Sequence, residues 1–466
     1  MINNKQLKLN FIFVIFAQLV TLIVSCMTNL LLPKYISQIS YSYWQFFIFY
    51  AGYIPCLALG LNDGIYLRLG GKTVNELNTT ALKSQYLFGQ FFQMILVFII
   101  SCITFFVFGI STKTFVFLLV FLYFISYTSY NFLSNVFQAI NKINIFATAT
   151  IIFQFTYFLF QLLFIVKKEN TIFYLMVYYI IANFISVLYM LKKIKPIFRR
   201  GHVNFQTGKL EAIISVKTGI SLMFANICSM LVLGVGRQII ELRWGILTFG
   251  KISFALSLIN FALMFIIQIS TVLFPTLRRL DFDQLRKVYI DLMNKLFIFL
   301  PIIFLAYIPG KLILEAWIPK YTESIGYLGI LLPICFFDCR MNLVNNTIFK
   351  VLNKQVILLE VNIVTIIVSV FVGLVGAYLV NDVNFVIYTL VFSVAFRCII
   401  SDCIISRWMR IGINKYIIFD IILCILFIVI VNLKHYVFVI AILLGCIILR
   451  YVTIKFYGEK DNYEKN

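Results

Sequence analysis

The chain has 466 residues, 62% of them hydrophobic and only 12% charged, with 39 Lys and Arg against 18 Asp and Glu. A soluble globular domain is nearer about 45–50% apolar and about 25% charged, so this composition excludes a water-soluble globule and predicts a polytopic membrane protein. The net charge of +21 would suit nucleic acid, but the placement of the cations argues for membrane topology instead.

Apolar runs of about 20 residues, each able to cross about 30 Å of hydrocarbon as a helix, recur along the whole chain and predict fourteen spans. Continuous runs lack the alternation of a membrane barrel strand, so the expected class is all-α. The first span, 9–32, is too long for a signal peptide and lacks a small-residue cleavage site. It carries Gln18, Thr21, Ser25 and Thr28 at helical spacing.

The second span, 43–61, runs into "LNDGIYLRLGGKT". The tail Gly70-Gly71-Lys72-Thr73 looks like the end of a phosphate loop. That loop needs a glycine where Tyr66 stands, between a strand and a helix, so nucleotide binding is excluded here. Asn62, Asp63 and Gly64 are expected to break or kink the helix at the cytoplasmic surface. Arg68 and Lys72 would then reach headgroups or a cavity mouth.

Spans 84–109, 114–137, 145–166 and 171–191 complete an N-lobe over 1–191. A basic cytoplasmic linker, 192–212, follows, with Lys192, Lys193, Lys195, Arg199, Arg200 and Lys209 beside Pro196 and Gly201. The C-lobe, 213–405, holds spans 213–234, 246–270, 292–309, 325–345, 356–380 and 384–405. Two additional spans, 416–432 and 435–451, and a tail fill 406–466.

A gapless shift of 200 residues lays Gln38, Ile39, Trp44 and Phe49 on Gln238, Ile239, Trp244 and Phe249, which suggests duplicated lobes. Under it the polar stripe of the first span meets Thr218, Ser221, Ala225 and Ser229, and the eighth span adds Ser253, Ser257, Asn260, Gln268 and Thr271. Tight helix packing and a wet cavity explain such stripes equally well.

With the N-terminus inside, 24 of the 39 Lys and Arg fall in cytoplasmic segments and 9 outside. This is the positive-inside pattern, and it predicts both termini in the cytoplasm. The ten cysteines fall within the spans, where they read as small apolar side chains. No spacing suggests a catalytic constellation, a metal site or a cofactor.

Asp338, Arg340 and Arg397 lie in mid-span, where each charge costs about 2.5–3.5 kcal/mol on insertion scales. Two readings stand: an interhelical ion pair such as Asp338 with Arg397, or arginines lining a hydrated path for an anionic substrate. Asp338 and Arg340, two apart, should point to opposite sides of their helix. Lys217, Lys251 and Lys295 near span ends read as snorkelling. Glu315 and Glu323 read as solvated loop charges.

"LGLNDGIYLRLGGK" resembles the end of the second helix of Wzx-like bacterial polysaccharide flippases of the multidrug/oligosaccharidyl-lipid/polysaccharide (MOP) exporter superfamily. Residues 222–261 resemble its seventh and eighth helices, and "VLFPTLRRL" (272–280) the turn that follows.

The resemblance implies two six-helix lobes around a central cavity open alternately to either face. It implies a flippase of the bacterial cytoplasmic (inner) membrane, moving an undecaprenyl-pyrophosphate-linked oligosaccharide for surface polysaccharide such as O-antigen or capsule. Membrane lipids and the polysaccharide polymerase machinery are the implied partners, with no nucleic acid and no cofactor. Asp63, Arg68 and Arg237 are carried over by motif, whereas Arg340, Arg397 and Lys217 rest on burial and charge. An ion-coupled drug or metabolite antiporter of the same superfamily is the first rival, weakened because the first span carries no acidic residue. A membrane polymerase or glycosyltransferase is the second, weakened by short external loops.

Overall fold

The computed structural model describes residues 4–167, 171–278, 280–411, 416–433 and 445. The regular secondary structure among these residues is helical, and no strand occurs among them. The chain forms two compact units, Met1–Ile227 and Cys228–Asn466.

The first unit contains α1 (Asn4–Leu30), α2 (Leu32–Tyr35), α3 (Gln38–Tyr53), α4 (Leu61–Leu69), α5 (Thr79–Phe108), α6 (Thr112–Ala139), α7 (Ile143–Val166) and α8 (Ile172–Phe198). Next comes α9 (Phe205–Leu277), which continues into the second unit. That unit adds α10 (Phe282–Phe299), α11 (Ile302–Trp317), α12 (Thr322–Arg340), α13 (Asn346–Val351), α14 (Gln355–Leu374), α15 (Val383–Trp408) and α16 (Tyr416–Asn432).

Short polar residues start these apolar helices. The side chains of Ser37, Asn78, Ser111 and Asp281 accept from backbone N–H groups in the first turns of α3, α5, α6 and α10. Each such cap contributes about 1 kcal/mol.

Among the described residues ten helices are long and apolar enough to cross a membrane, or eleven if α3 and α4, bent by 62°, form one broken span. The chain is a multi-pass membrane protein. The expected fourteen are not matched one for one. α16, at 17 residues, is shorter than a full span, and the expected span 435–451 lies outside the described residues apart from residue 445.

α9 is also two limbs rather than one rod. Gly245 is left-handed at φ 81°, and Arg237 Nη2 donates to Ser253 Oγ at 2.8 Å. In a straight helix those residues would stand about 24 Å apart. The chain therefore folds back at Gly245, joining limb 205–244 to limb 246–277. The expected gap at 235–245 is thus mostly helix. The gapless 200-residue register is not carried by the backbone either: the first reversal falls near Ile36–Ser37, while 236 and 237 lie within a helix.

In the first unit α6 and α8 form the centre, burying Phe132, Val136, Phe137, Met190 and Ile194. Beside it Tyr179 meets the rings of Trp44, Phe47, Tyr123, Phe153 and Tyr157. The stripe of α1 faces α7, where Gln161 Nε2 donates to Thr28 Oγ1 at 2.8 Å. Packing accounts for that part of it. Of the polar residues of the eighth span, the side chains of Gln268 and Thr271 lie outside the described residues.

In the second unit α12 is the central element. Its span is 78% buried, against 11% for α5, which exposes Phe91, Phe98 and Phe106. Phe304 of α11 stacks on Phe336 of α12 and on Phe427 of α16, with centroids 5.6 and 4.3 Å apart. α16 is therefore packed into this core.

Candidate functional site

Two polar constellations interrupt the apolar interior, one in each unit. In the first, α3 ends in a 3-10 turn and the chain bends at Leu59 and Gly60, both left-handed at φ 52° and 78°. The break thus precedes Asn62, Asp63 and Gly64, which instead form the first turn of α4. The reason is a helix crossing. Gly60 and Gly64, four apart, face Ser215 and Gly219, also four apart, on α9. A Cβ on Gly60 would stand 2.6 Å from the carbonyl carbon of Gly219, and one on Gly64 would overlap the Ser215 backbone. Such small-residue pairs let two backbones touch. Gly60 and Gly64 of the quoted stretch serve this contact, and Gly71, left-handed with open space around it, makes the turn that ends the segment.

The crossing is closed by polar side chains. Arg68 Nη1 donates to Ser215 Oγ at 2.8 Å and to the Glu211 carbonyl at 3.1 Å, while its Nη2 pairs with the Glu211 carboxylate. Gln85 of α5 donates to the same Ser215 hydroxyl at 2.8 Å. Arg68 remains about a quarter exposed. It therefore bonds to α9 rather than reaching outward as the sequence suggested, while Lys72 is exposed. Asp63 is half-buried, and Lys217 is exposed on α9.

The second constellation lies around α12 and is deeply buried. Arg397 of α15 pairs with Asp338 of α12 and donates to Ser229 Oγ at 3.1 Å. Arg340, on the other side of α12, sits between Asp402 of α15 at 2.8 Å and Asp420 of α16 at 2.7 Å. The side chains of Arg340, Asp402 and Asp420 are no more than 5% exposed. The opposite orientation of Asp338 and Arg340 and the Asp338–Arg397 pair both agree with the sequence reading.

A π turn, Met341–Asn345, follows Arg340. There Asn345 Nδ2 donates to the Cys398 carbonyl at 3.4 Å. π turns concentrate where side chains must be re-aimed for function.

The six candidate residues do not gather at one place within either unit. Arg68 bonds to Glu211 and Ser215; Arg237 bonds to Ser253 and lies 5.2 Å from the Phe249 ring centroid; Arg340 and Arg397 have separate carboxylates. Lys251 and Glu323 pair with each other, with Tyr327 donating to the same glutamate at 3.0 Å, so neither is merely solvated. Among the described residues no group of three or more His, Cys, Asp or Glu is placed to hold a metal ion.

The sequence reading passed over Glu211, Asp402 and Asp420. The last two fall inside predicted spans and carry the same insertion cost that singled out Asp338. It also passed over the Gly-x-x-x-Gly of 60–64, a recognised close-packing signal.

No known protein-family profile matches the chain, and no curated protein matches it. Solved structures do. The lipid II flippase MurJ in an inward closed conformation is similar, at 13% identity over 98% of this chain and 99% of that one, with a TM-score of 0.66. An inward-facing multidrug resistance MATE family transporter of the MOP superfamily is similar, at 12% identity over 84% of this chain and 97% of that one, with a TM-score of 0.59. An outward-facing transporter of the same description reaches 0.53 at 10% identity, over 84% of this chain and 94% of that one. At these identities the likeness concerns the fold, which this chain shares with MOP-superfamily transporters.

Proposed function

We propose that the protein is a flippase carrying a polyprenyl-pyrophosphate-linked oligosaccharide across the bacterial cytoplasmic membrane, by alternating access, for surface polysaccharide assembly. The observation that carries this reading is the extent of the likeness. The lipid II flippase is matched over 98% of this chain, whereas a MATE transporter is used up at 84%. The C-terminal helix α16 is integral to the second unit, reaching its core through Asp420 and Phe427.

A pyrophosphate moving through hydrocarbon needs compensating cations. Arg340, Arg397 and Arg68 all face carboxylates, but the first two are also deeply buried. Arg68, about a quarter exposed beside the broken helix, and the exposed Lys217 are the better placed of the six to meet such an anion.

An ion-coupled drug or metabolite antiporter is the second reading. The buried carboxylates Asp338, Asp402 and Asp420 favour it, since intramembrane acids often serve ion coupling; each is held by an arginine here. Deleting the gene and locating the lipid-linked glycan tests the two. Accumulation on the cytoplasmic face, with loss of surface polysaccharide restored by complementation, is expected. Purified protein in liposomes must then move a labelled prenyl-pyrophosphate sugar between leaflets. Unchanged surface glycan in a strain without a second flippase refutes the proposal and favours the antiporter.

A further inference from the structure

The linker between α8 and α9 carries a site that the transport reading does not use. α8 runs on to Phe198 and α9 begins at Phe205, so only 199–204 is non-helical. That short stretch is held against the start of α5. The backbone N–H groups of His202 and Asn204 donate to Thr80 Oγ1 and Ser84 Oγ at 3.3 and 2.9 Å. A Cβ on Gly201 would lie 2.6 Å from the Thr79 backbone. Lys83 Nζ donates to the Gly201 carbonyl at 3.1 Å.

Beside this anchor lies a cavity of about 470 Å³ lined by Lys83, Leu191, Lys192, Lys195, Phe198 and Arg199. Lys192, Lys195 and Arg199 recur at i, i+3 and i+7, so one face of α8 presents them together. Lys83 arrives from a different helix. Four of the six lining residues are cations and none is acidic. Solvated lysines at a helix end would repel one another and spread. Here Lys83 is tethered by the docked linker, and the exposed Lys192, Lys195 and Arg199 line the same open cavity. The half-buried Leu191 and Phe198 give the cavity an apolar wall.

We propose that this cavity binds a phosphate oxyanion, and that the phosphodiester of an anionic membrane phospholipid fills it, with its first acyl carbons against Leu191 and Phe198. Basic pockets between membrane helices recognise such headgroups by charge and by multiple N–H donors. The volume falls within the range of small-ligand clefts, about 300–1,000 Å³. Occupancy would add a ligand to the α5–α8 junction beside the linker anchor.

The full chain, purified in detergent, is offered phosphatidylglycerol, phosphatidylcholine or inorganic phosphate in separate native mass spectrometry titrations. Phosphatidylglycerol should be retained at least about tenfold better than phosphatidylcholine. Its affinity should fall on the order of a hundredfold in Lys192→Ala/Lys195→Ala/Arg199→Ala. The control triple Lys142→Ala/Lys167→Ala/Lys350→Ala removes as many exposed cations elsewhere and should bind as the native chain does.

If the first triple is not monodisperse, the single Lys195→Glu at an exposed position is read instead, with at least about a tenfold loss expected. Inorganic phosphate that binds in a triple-sensitive way while phosphatidylglycerol shows no preference would assign the oxyanion site to a soluble anion and overturn the lipid. Equal retention of the two lipids without phosphate binding, or equal losses in both triples, overturns the site itself.

Discussion

Replacing Arg340 separates a structural role from a transport role. Its guanidinium lies 2.8 Å from Asp402 and 2.7 Å from Asp420. At an effective dielectric of about 20, each contact at that distance is worth about 6 kcal/mol of gross attraction. Most of this offsets the desolvation of three buried charges. Arg340→Met removes the cation and leaves two carboxylates buried without it. Truncating one side of a buried ion set costs about 3–5 kcal/mol, or about 6–20 °C in unfolding midpoint for a unit of this size.

Neutralising the carboxylates as well, in Arg340→Met/Asp402→Asn/Asp420→Asn, keeps the volume and removes the stranded charge, so most of that loss should return. Thermal unfolding of the detergent-solubilised chain measures both variants, and leaflet transfer in liposomes is read on the triple. A triple no more stable than the single, or a single that unfolds like the native chain, would falsify the ion set as a structural clasp. A stable triple that fails in transfer would give Arg340 a role in transport besides.

Three further outcomes follow from the same geometry. Gly64→Val drives a side chain into the Ser215 backbone and should cost about 1–3 kcal/mol or more, abolishing export. Gly71→Ala is strained only by its left-handed φ of 86°, meets nothing, and should export normally; equal defects in the two would disprove the crossing. Arg68→Gln breaks a part-exposed pair worth about 0–1 kcal/mol, so the melting midpoint should hardly move while leaflet transfer falls; full transfer would remove Arg68 from the substrate path. Truncation after residue 405 strips Asp420 and Phe427 from the core of the second unit and should give polydisperse protein on size-exclusion chromatography, a result that a dispensable appendage would not produce.

Hydropathy alone carried most of the architecture, because a helix in hydrocarbon satisfies its own backbone and betrays itself by length. It failed where the chain stays helical beyond the apolar window, as at α8 and α9 around the linker, and where a break depends on a neighbour. The bend at Leu59–Gly60 is an instance. Residue type pointed to Asn62–Gly64, since those residues disfavour helix interiors. The backbone turns earlier because Gly60 and Gly64 must share one face against Ser215 and Gly219, some 155 residues downstream. The Gly-x-x-x-Gly spacing was legible; its partner was not.

The charges show the same division between what is local and what is not. An arginine in mid-span is conspicuous in a sequence because of its cost, and Arg340 and Arg397 were singled out on that ground. What decides whether such a residue meets a substrate is the compensation already present around it. That compensation comes from residues 59 to 143 positions away: Asp338 for Arg397, Asp420 for Arg340, Glu211 for Arg68. Only the first of these pairs was legible, since both its members stand conspicuously in mid-span; rarity in the membrane marks a residue as constrained and does not by itself name the constraint. Exposure then sorts the cations: Arg340 and Arg397 hold helices together in the second unit, while Arg68 and Lys217 keep an accessible surface, the feature on which the proposed anion contact rests.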